Sequence, residues 1–520
     1  MIFLHHRNAK EVASAYRNGE ELECSSRDLS EAFWSLCNIY PEELIIWIDD
    51  EVKVELNDDL TEIFPHDLVM SSYSIVSQYL PETIGYVDQL PFVNPDYDAK
   101  YPTWRMSTDL GGIKAKTALQ FQSIYGDIKN FGLLLNSMAR TGQQNSLFCY
   151  SDPSFVKTLS PVPDEFKAST GEVFNFVAMH YKREWLLVLL FCYWKFEKKF
   201  PVFFFLHGLG HRSFFKKIVD LSSISLESGE IDLNKETVDV IIPTMGRPGH
   251  LKNVLEDLKS QDHQPSKVII VEQEPDRNSQ TQLDFLVKNG WPFEIVHHFI
   301  RRTGACNARN LALQSVNADY VFFADDDIRF PSDLLSQSLK ELNRLKVGAL
   351  NLNCLQPSGK TIFHKIKQWG AFGSGTSIVK SEYALKCKFA EVLEHGFGED
   401  IDYGLKLRSQ GSDIIYHPRI KISHLKADIG GFRGIQKPEW EKATLKPKPS
   451  PTMMLLVKRY YSVKMMRGYK VSLFLKYYRE QPVKNPFHYF KLMQERWNVS
   501  EEWAKKLLDR TNSNLNSSHE

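Results

Sequence analysis

The sequence predicts an α/β protein whose central domain is built on a largely parallel sheet. Three observations carry that reading. From residue 238 onward, short β-branched runs alternate with stretches of helical periodicity, the spacing of βαβ units. The polar residues of that region fall at the ends of the apolar runs, where open parallel sheets bind their ligands. An apolar fraction of 42% and a charged fraction of 25% over 520 residues belong to a globular chain with a real core. Global disorder, a collagen-like repeat and a wholly membrane-embedded protein are thereby excluded. At about 150 residues per domain the length suits three domains, with two or four the neighbouring options.

The elements follow in order. Residues 1 to about 165 mix short apolar runs with acidic turns, and residues 170–216 read as helical and rich in aromatics. The greasiest stretch, WLLVLLFCYW at 185–194, is followed by KFEKKF and then PVFFFLHGLG. Neither apolar piece reaches the roughly 18 residues of a spanning helix. The stretch therefore reads as a buried helix followed by a core segment, or as a monotopic interfacial contact. Residues 1–220 are taken as an N-terminal accessory domain and the polar stretch 221–237 as a linker.

Residues 238–243 (VDVIIP) are a short β-branched run closed by proline, the pattern of a buried strand. Leu251, Val254, Leu255 and Leu258 then recur at i, i+3, i+4 and i+7, predicting a helix. KVIIVE (267–272) and FEIVH (293–297) read as strands, residues 305–316 as a helix, and YVFFA (320–324) as a strand running into Asp325–Asp326–Asp327. The domain is expected to close near residue 435, with residues 436–520 a basic, aromatic-rich helical region.

Charge is distributed unevenly beneath a net charge of zero from 64 basic and 64 acidic residues. Residues 21–110 hold 19 acidic and 4 basic side chains, and residues 436–496 hold 14 basic and 4 acidic ones. The zero total argues against a general nucleic-acid binder. The basic tail reads either as a helical cap or as an interfacial patch near anionic lipid. Seven scattered cysteines without a CxxC pair fit neither a disulfide framework nor a zinc knuckle, and suit a reducing, cytosolic setting. The start, MIFLHHRNAK, lacks the layout of a signal peptide.

Three consecutive carboxylates after an apolar strand repel one another and call for a cationic partner. Hard divalent cations take oxygen ligands of this kind, typically with substrate phosphates completing the shell. GFGEDIDY (396–403) places glycines before an acidic pair that opens a helix, where the dipole favours carboxylates. One of that pair could serve as a general base. His424 follows a strand and precedes a Gly-Gly loop and Arg433. Taken singly, each also has an ordinary structural reading, as a solvated acidic turn, a helix start or a buried histidine.

Together these elements resemble the family 2 glycosyltransferases, inverting nucleotide-sugar-dependent enzymes of GT-A fold. The segments VDVIIPTMGR, VIIVEQ, GACNARNLAL, FFADDD, GFGEDIDYGLKLRSQG and ISHLKADIGGFR arrive in the family's order between residues 238 and 433. The resemblance implies a divalent metal (Mn²⁺ or Mg²⁺) and a nucleotide-diphosphate sugar as donor. It aligns Pro243, Thr244 and Arg247 with the loop around base and ribose, and Glu272 with an Asp that contacts the base. Arg309 and Asn310 match the element beside the nucleotide, and Arg302 is aligned as a diphosphate contact. Asp325 and Asp327 match the first and last positions of the DxD motif, Asp325 toward the ribose and Asp327 on the metal. Asp400 matches the usual base, with Glu399 positioning it or the acceptor. His424 looks like the late His near metal and diphosphate, and Arg433 like a mobile-loop group over the phosphates. The implied acceptor is a glycan or lipid-linked molecule in bacterial polysaccharide biosynthesis, at a cytoplasmic location with peripheral contact at the inner face of the plasma membrane. The rival readings are a catalytically silent GT-A-like sugar-nucleotide-binding or scaffold protein and, more weakly, a nucleotidyltransferase.

The front half holds hints of a faded copy of the same fold. Residues 134–153 parallel residues 405–418, WIDD at 47–50 sits where an acidic strand end would fall, and WRMSTDLGG at 104–112 resembles an acceptor-side segment. No acidic pair precedes the first of these helices, so this half is expected to be non-catalytic.

Overall fold

The β-branched runs form strands, and the strands fall into two principal sheets. In the computed structural model, which describes residues 1–517 apart from 53–54, 159–164, 227–230, 289, 395 and 427–437, the chain divides into two units. The first comprises residues 1–227, 365–370 and 461–472, and the second residues 228–364, 371–460 and 473–520.

The first unit holds strands β1 (Ile2–Arg7), β2 (Glu11–Arg17), β3 (Glu20–Glu21), β4 (Leu44–Asp49), β5 (Val69–Tyr73), β6 (Tyr101–Pro102), β7 (Leu110–Lys114) and β8 (Phe148–Ser151). They lie in the order β3-β2-β1-β4-β7-β5-β8-β6. Its helices are α1 (Leu29–Ile39), α2 (Ala115–Leu119), α3 (Phe131–Gly142), α4 (Thr170–His180), α5 (Glu184–Cys192) and α6 (Val202–Gly210). The Asp28 side chain accepts from Glu31 N to start α1, and a Ser169–Glu172 capping box starts α4. Phe33, Trp47, Trp104 and Phe131 are fully buried in its core.

The aromatic stretch divides between the two readings the sequence leaves open. α5 buries Leu186, Val188, Leu189 and Cys192, as a core helix should. α6 joins the core only on one side: Gly208 is buried and Phe205 and Leu209 pack partly buried against the core, while its other apolar side chains are exposed.

The second unit holds β9 (Val238–Thr244), β10 (Lys267–Gln273), β11 (Glu294–Ile300), β12 (Tyr320–Ala324), β13 (Ile328–Arg329), β14 (Ala349–Leu355), β15 (Thr376–Lys380) and β16 (Ile414–His424), in the order β11-β10-β9-β12-β15-β14-β16-β13. β9 is parallel to β10 and β12, β10 to β11, and β14 to β16; the pairs with β15 and β13 are antiparallel. The sheet is thus mixed, with its parallel half where the strand–helix alternation is clearest. β9 is buried nearly throughout, as parallel strands covered on both faces are. α7 (Pro248–Lys259) opens with Pro248 in its first turn, which costs no hydrogen bond there, and buries Leu251, Val254, Leu255 and Leu258. α8 (Ala305–Leu313), α9 (Leu334–Leu345), α10 (Ser381–Ala384) and α11 (Glu399–Ser409) follow.

The C-terminal region is helical: α12 (Pro451–Tyr460), α13 (Val463–Tyr478) and α14 (Pro486–Ser517). α12 buries Met454, Leu455, Leu456 and Val457, and α14 buries Tyr489, Met493, Trp497 and Ala504. No described helix is long and apolar enough to cross a membrane.

The two sheets share a pattern. In the first, β1-β4-β7-β5-β8 pair parallel, antiparallel, antiparallel and parallel. In the second, β9-β12-β15-β14-β16 pair in the same sequence of directions. Leu44 faces Lys114 as Tyr320 faces Lys380, and each lysine is the extended residue before a short helix. Counting from there sets Asp49–Asp50–Glu51 against Asp325–Asp326–Asp327, and Pro153 against Pro418 through β8 and β16. The sheets part at their outer edges, where β1 pairs antiparallel with β2 but β9 pairs parallel with β10.

Candidate active site

The site is built at the carboxyl ends of β9, β10 and β12, where a parallel sheet leaves a crevice. Ile241 lies beside Phe323 in the ladder, so the chain leaving β9 through Thr244 passes the three aspartates that follow β12. Each aspartate has a different partner. Arg309, on α8, donates to Asp325 Oδ1 at 3.0 Å. Thr244 Oγ1 and Arg247 Nη1 each donate to Asp326 at 2.7 Å. Asp327 lies 3.3 Å from Arg247 and 3.1 Å from His424 Nε2. Pairing of β13 with β16 sets Ile328 opposite His424 and brings the imidazole there. Asp325, Asp327 and His424 each offer a ligand atom within 4.8 Å of the others.

Two glycines permit close approaches. A Cβ on Gly375 would fall 2.0 Å from Asp325 Oδ2, so the carboxylate packs directly on the backbone leading into β15. Gly398 has φ +116°, a conformation that disfavours any side chain, and a Cβ there would meet Leu456 at 2.3 Å. It opens α11, whose first turn carries Glu399 and Asp400.

The electrostatics of these carboxyls follow from burial. Burial raises the pKa of Asp400 most; Arg309 and hydrogen bonds from Ser374 pull it back, and the charge on Asp325 adds to the rise. Its Oδ1 is buried without a hydrogen-bond partner. Glu399 is raised by burial and then by Asp400. Asp326 is raised by burial against the pull of Arg247 and Thr244. His424 is raised by its bond to Asp327, which outweighs burial.

A cleft of about 420 Å³ collects these groups. Of the residues singled out in the sequence, Pro243, Thr244, Arg247, Arg309, Asp325, Asp327, Glu399, Asp400 and His424 line it. Others do not. Glu272 turns its carboxylate to Thr281 Oγ1 (2.5 Å), Gln282 N (3.1 Å) and His297 (3.0 Å), away from the lining. Arg302 is 60% exposed and ion-paired with Glu391 beside a smaller, separate depression. Asn310 exchanges hydrogen bonds with the backbone of Phe389. Arg433 lies outside the described residues.

Residues that the sequence did not single out complete the site. Asp326 ties β9 to β12, and Ser374 holds Asp400. Glu394 accepts from Cys306 N and Asn307 N at the start of α8. Gln273 accepts from Gly304 N. Asp402, one turn into α11, is fully buried between Lys406, Arg459 and Tyr460. Asp326 stands in the aspartate run without a role of its own, and the others carry no local motif, since their partners, Lys406 apart, are distant in the chain.

A mixed α/β domain with an acidic cleft at the carboxyl ends of its parallel strands is the class that this fold and site define. Residues 239–375 match the family model described as Glycosyl transferase family 2. No curated protein matches the chain. Among solved structures, the crystal structure of S. aureus TarS is 15% identical with a TM-score of 0.36, covering 50% of this chain and 55% of that one. The chain therefore spans about half of that protein. TarS 1–349 in complex with UDP-GlcNAc is 15% identical over 50% of this chain and 72% of that one, TM-score 0.34. Mannosyltransferase PcManGT from Pyrobaculum calidifontis, in complex with GDP-Man and Mn²⁺, is 17% identical over 52% and 84%, TM-score 0.29.

Proposed function

We propose that the second unit is an inverting glycosyltransferase that moves a sugar from a nucleotide-diphosphate sugar to a hydroxyl of a glycan or lipid-linked acceptor in surface-polysaccharide assembly. The observation that carries this reading is one cleft holding Asp325, Asp327 and His424 within mutual ligand distance, together with Asp400 and its unpartnered oxygen. Two carboxylates and one imidazole suit Mn²⁺, or Mg²⁺ with more of its water retained. Asp327 and His424 would hold the ion, with Asp325 turned toward donor ribose and ion alike. A bound divalent ion supplies neutralisation of the charge that develops on the departing nucleoside diphosphate.

The chain's own residues do the rest. Arg247, on the loop aligned with base and ribose, fixes Asp326 and Asp327 so that their repulsion does not splay the loop. Arg309 orients Asp325 from beneath. Asp400 accepts the proton of the acceptor hydroxyl as that oxygen attacks the anomeric carbon opposite the leaving diphosphate, and Glu399 orients the acceptor. One base and no protein nucleophile give a single displacement with inversion.

We also propose that the first unit is a silent copy of the same fold. Its strand end Asp49–Asp50–Glu51 sits in the register of the three aspartates. The place for a cation is taken by Lys167, whose Nζ lies 2.9 Å from Asp49 and 3.1 Å from Asp109. Burial disfavours that ammonium, but the two carboxylates outweigh it and raise its pKa. α3 starts at Asn130–Phe131 with no acidic pair.

The test of transfer is a panel of nucleotide sugars screened for Mn²⁺-dependent nucleotide release by the full chain. At least one donor should turn over, and NMR of its product should show the anomeric configuration inverted. Asp327→Ala should lose both turnover and calorimetric Mn²⁺ binding. Undiminished Mn²⁺ binding in that variant would overturn the assignment.

A further inference from the structure

We infer that the helical hairpin formed by α5 and α6, with the segment that follows it, is a membrane-interface surface that seats the protein on an anionic bilayer. The inference stands on this surface alone and does not depend on the transfer chemistry.

α6 reads VFFFLHGLG and has no Asp, Glu, Lys or Arg; Phe205 and Leu209 rest partly buried on the core, and the other apolar side chains face out. A helix that is apolar all round normally lies inside a protein or in lipid. Here Phe203 is 73% and Leu206 60% exposed, and the neighbouring segments add Trp194, Phe200 and Ile218, the last 72% exposed. Large apolar side chains clustered this way mark a contact surface, whereas scattered ones do not.

The charge around them selects the occupant. Residues 182–219 carry eight basic side chains and only two acidic ones, in a half of the chain that is otherwise acidic. Lys195 sits 5.5 Å from the ring centroid of Phe191, Arg212 4.7 Å from that of Phe214, and Lys216 5.7 Å from that of Phe215. Of these rings Phe215 is exposed, Phe191 half-buried and Phe214 buried, so the cations border the apolar surface with stems along it and charges free for headgroups, as on an interfacial helix. A basic collar of this kind would repel a second copy of itself in a two-fold contact.

The dimensions favour lying on the bilayer over crossing it. α5 and α6 have nine residues each, a rise of about 14 Å against a hydrocarbon core of about 30 Å. Lys198, in the left-handed region at φ 58°, and Pro201 break the chain between them. The C-terminal tail, the basic segment that the sequence offered for lipid contact, buries much of its apolar surface within the protein; its exposed Phe487 and Phe490 provide the control.

The experiment is flotation of the full-length chain with phosphatidylcholine vesicles, with and without phosphatidylglycerol, at low and high salt. The wild type should float with phosphatidylglycerol vesicles at low salt and be released by high salt. Phe203→Ser with Leu206→Ser should lower the bound fraction roughly tenfold or more, since each loses a buried apolar group. Lys198→Glu with Lys199→Glu should lower it by at least about tenfold, each lysine near an anionic surface being worth about fivefold. Phe487→Ser with Phe490→Ser should float like the wild type. All these side chains are exposed, so unchanged thermal melting will show that the variants fold. Absence of wild-type flotation, or normal flotation of the Phe203/Leu206 variant, would overturn the inference. So would a dimer in sedimentation velocity that the same pair of substitutions dissolves.

Discussion

In the proposed reaction Asp400 is the base, and its surroundings set its pH range. As a base it must be ionised, while burial raises its pKa above the ordinary carboxylate range. Transfer should therefore fall on the acid side at a higher pH than a solvated aspartate would give. Ser374 hydrogen-bonds the charged form, so Ser374→Ala should move that limb of the kcat/KM profile to still higher pH. A limb that stays or moves down would contradict the pairing. Asp400→Asn should cost ~10²–10⁴-fold in kcat while donor binding persists. The raised pKa also fixes a sign for stability: the folded state disfavours the charged carboxylate, so the group's stabilising contribution is lost as pH rises through its range. At neutral pH Asp400→Asn should thus melt no lower than the wild type. The runs Asp325–Asp327 and Glu399–Asp400 were legible in the sequence because each is local, and the fold brings both to one cleft. Arg302 and Glu272 were assigned to the nucleotide for their type and position. Their partners Glu391, Thr281 and His297, which hold them away from the cleft, come from other elements and carry no signal of their own.

At the scale of elements, the aim of the base depends on how α12 grips α11. Phe397 N donates to Thr452 Oγ1 at 3.2 Å, Leu456 packs against Gly398, and Asp402 takes Arg459 at 2.8 Å and Tyr460 at 2.7 Å. The basic tail is thus in part a clamp on α11, in keeping with the helical cap that was one of its two sequence readings. Helix periodicity located α7, and the glycines before an acidic pair marked the start of α11, but which faces meet is decided by residues 55 to 58 positions apart. Removing Asp402 leaves the Arg459 and Lys406 cations without their buried counter-charge. Asp402→Ala should cost about 3 kcal/mol in urea unfolding of the full chain. Gly398→Ala forces a side chain into a left-handed position and against Leu456, and should cost about 1–3 kcal/mol. Both should lower kcat more than donor affinity, since the cation-holding groups lie on other elements. A fall in affinity with kcat intact would mean that α11 serves the donor.

For the whole molecule, the two sheets carry the strongest lesson about what sequence can reveal. The shared Leu/Tyr–Pro pattern near residues 153 and 418 hinted at a repeat, but strand order and direction are properties of pairing between distant segments and are invisible to a linear reading. The register makes the comparison specific. Asp49 and Asp325 occupy equivalent ladder positions, yet one faces Lys167 and the other Arg309 across a cleft. An ammonium bridging Asp49 and Asp109 satisfies electrostatically what a divalent ion would satisfy in the other copy, and Asp109 is further held by the backbone N–H groups of Ile75, Val76 and Ser77. A carboxylate so committed has little left to offer a metal. The full chain should therefore bind Mn²⁺ at one nucleotide-linked site only, and Asp325→Ala with Asp327→Ala should abolish all Mn²⁺-dependent nucleotide binding measured by calorimetry. Lys167→Ala should leave turnover of the second unit's donor unchanged, because that lysine belongs to the first unit's own ion network. Residual Mn²⁺-dependent binding in the double aspartate variant, lost when Asp49→Asn is added, would instead assign a working nucleotide site to the first unit.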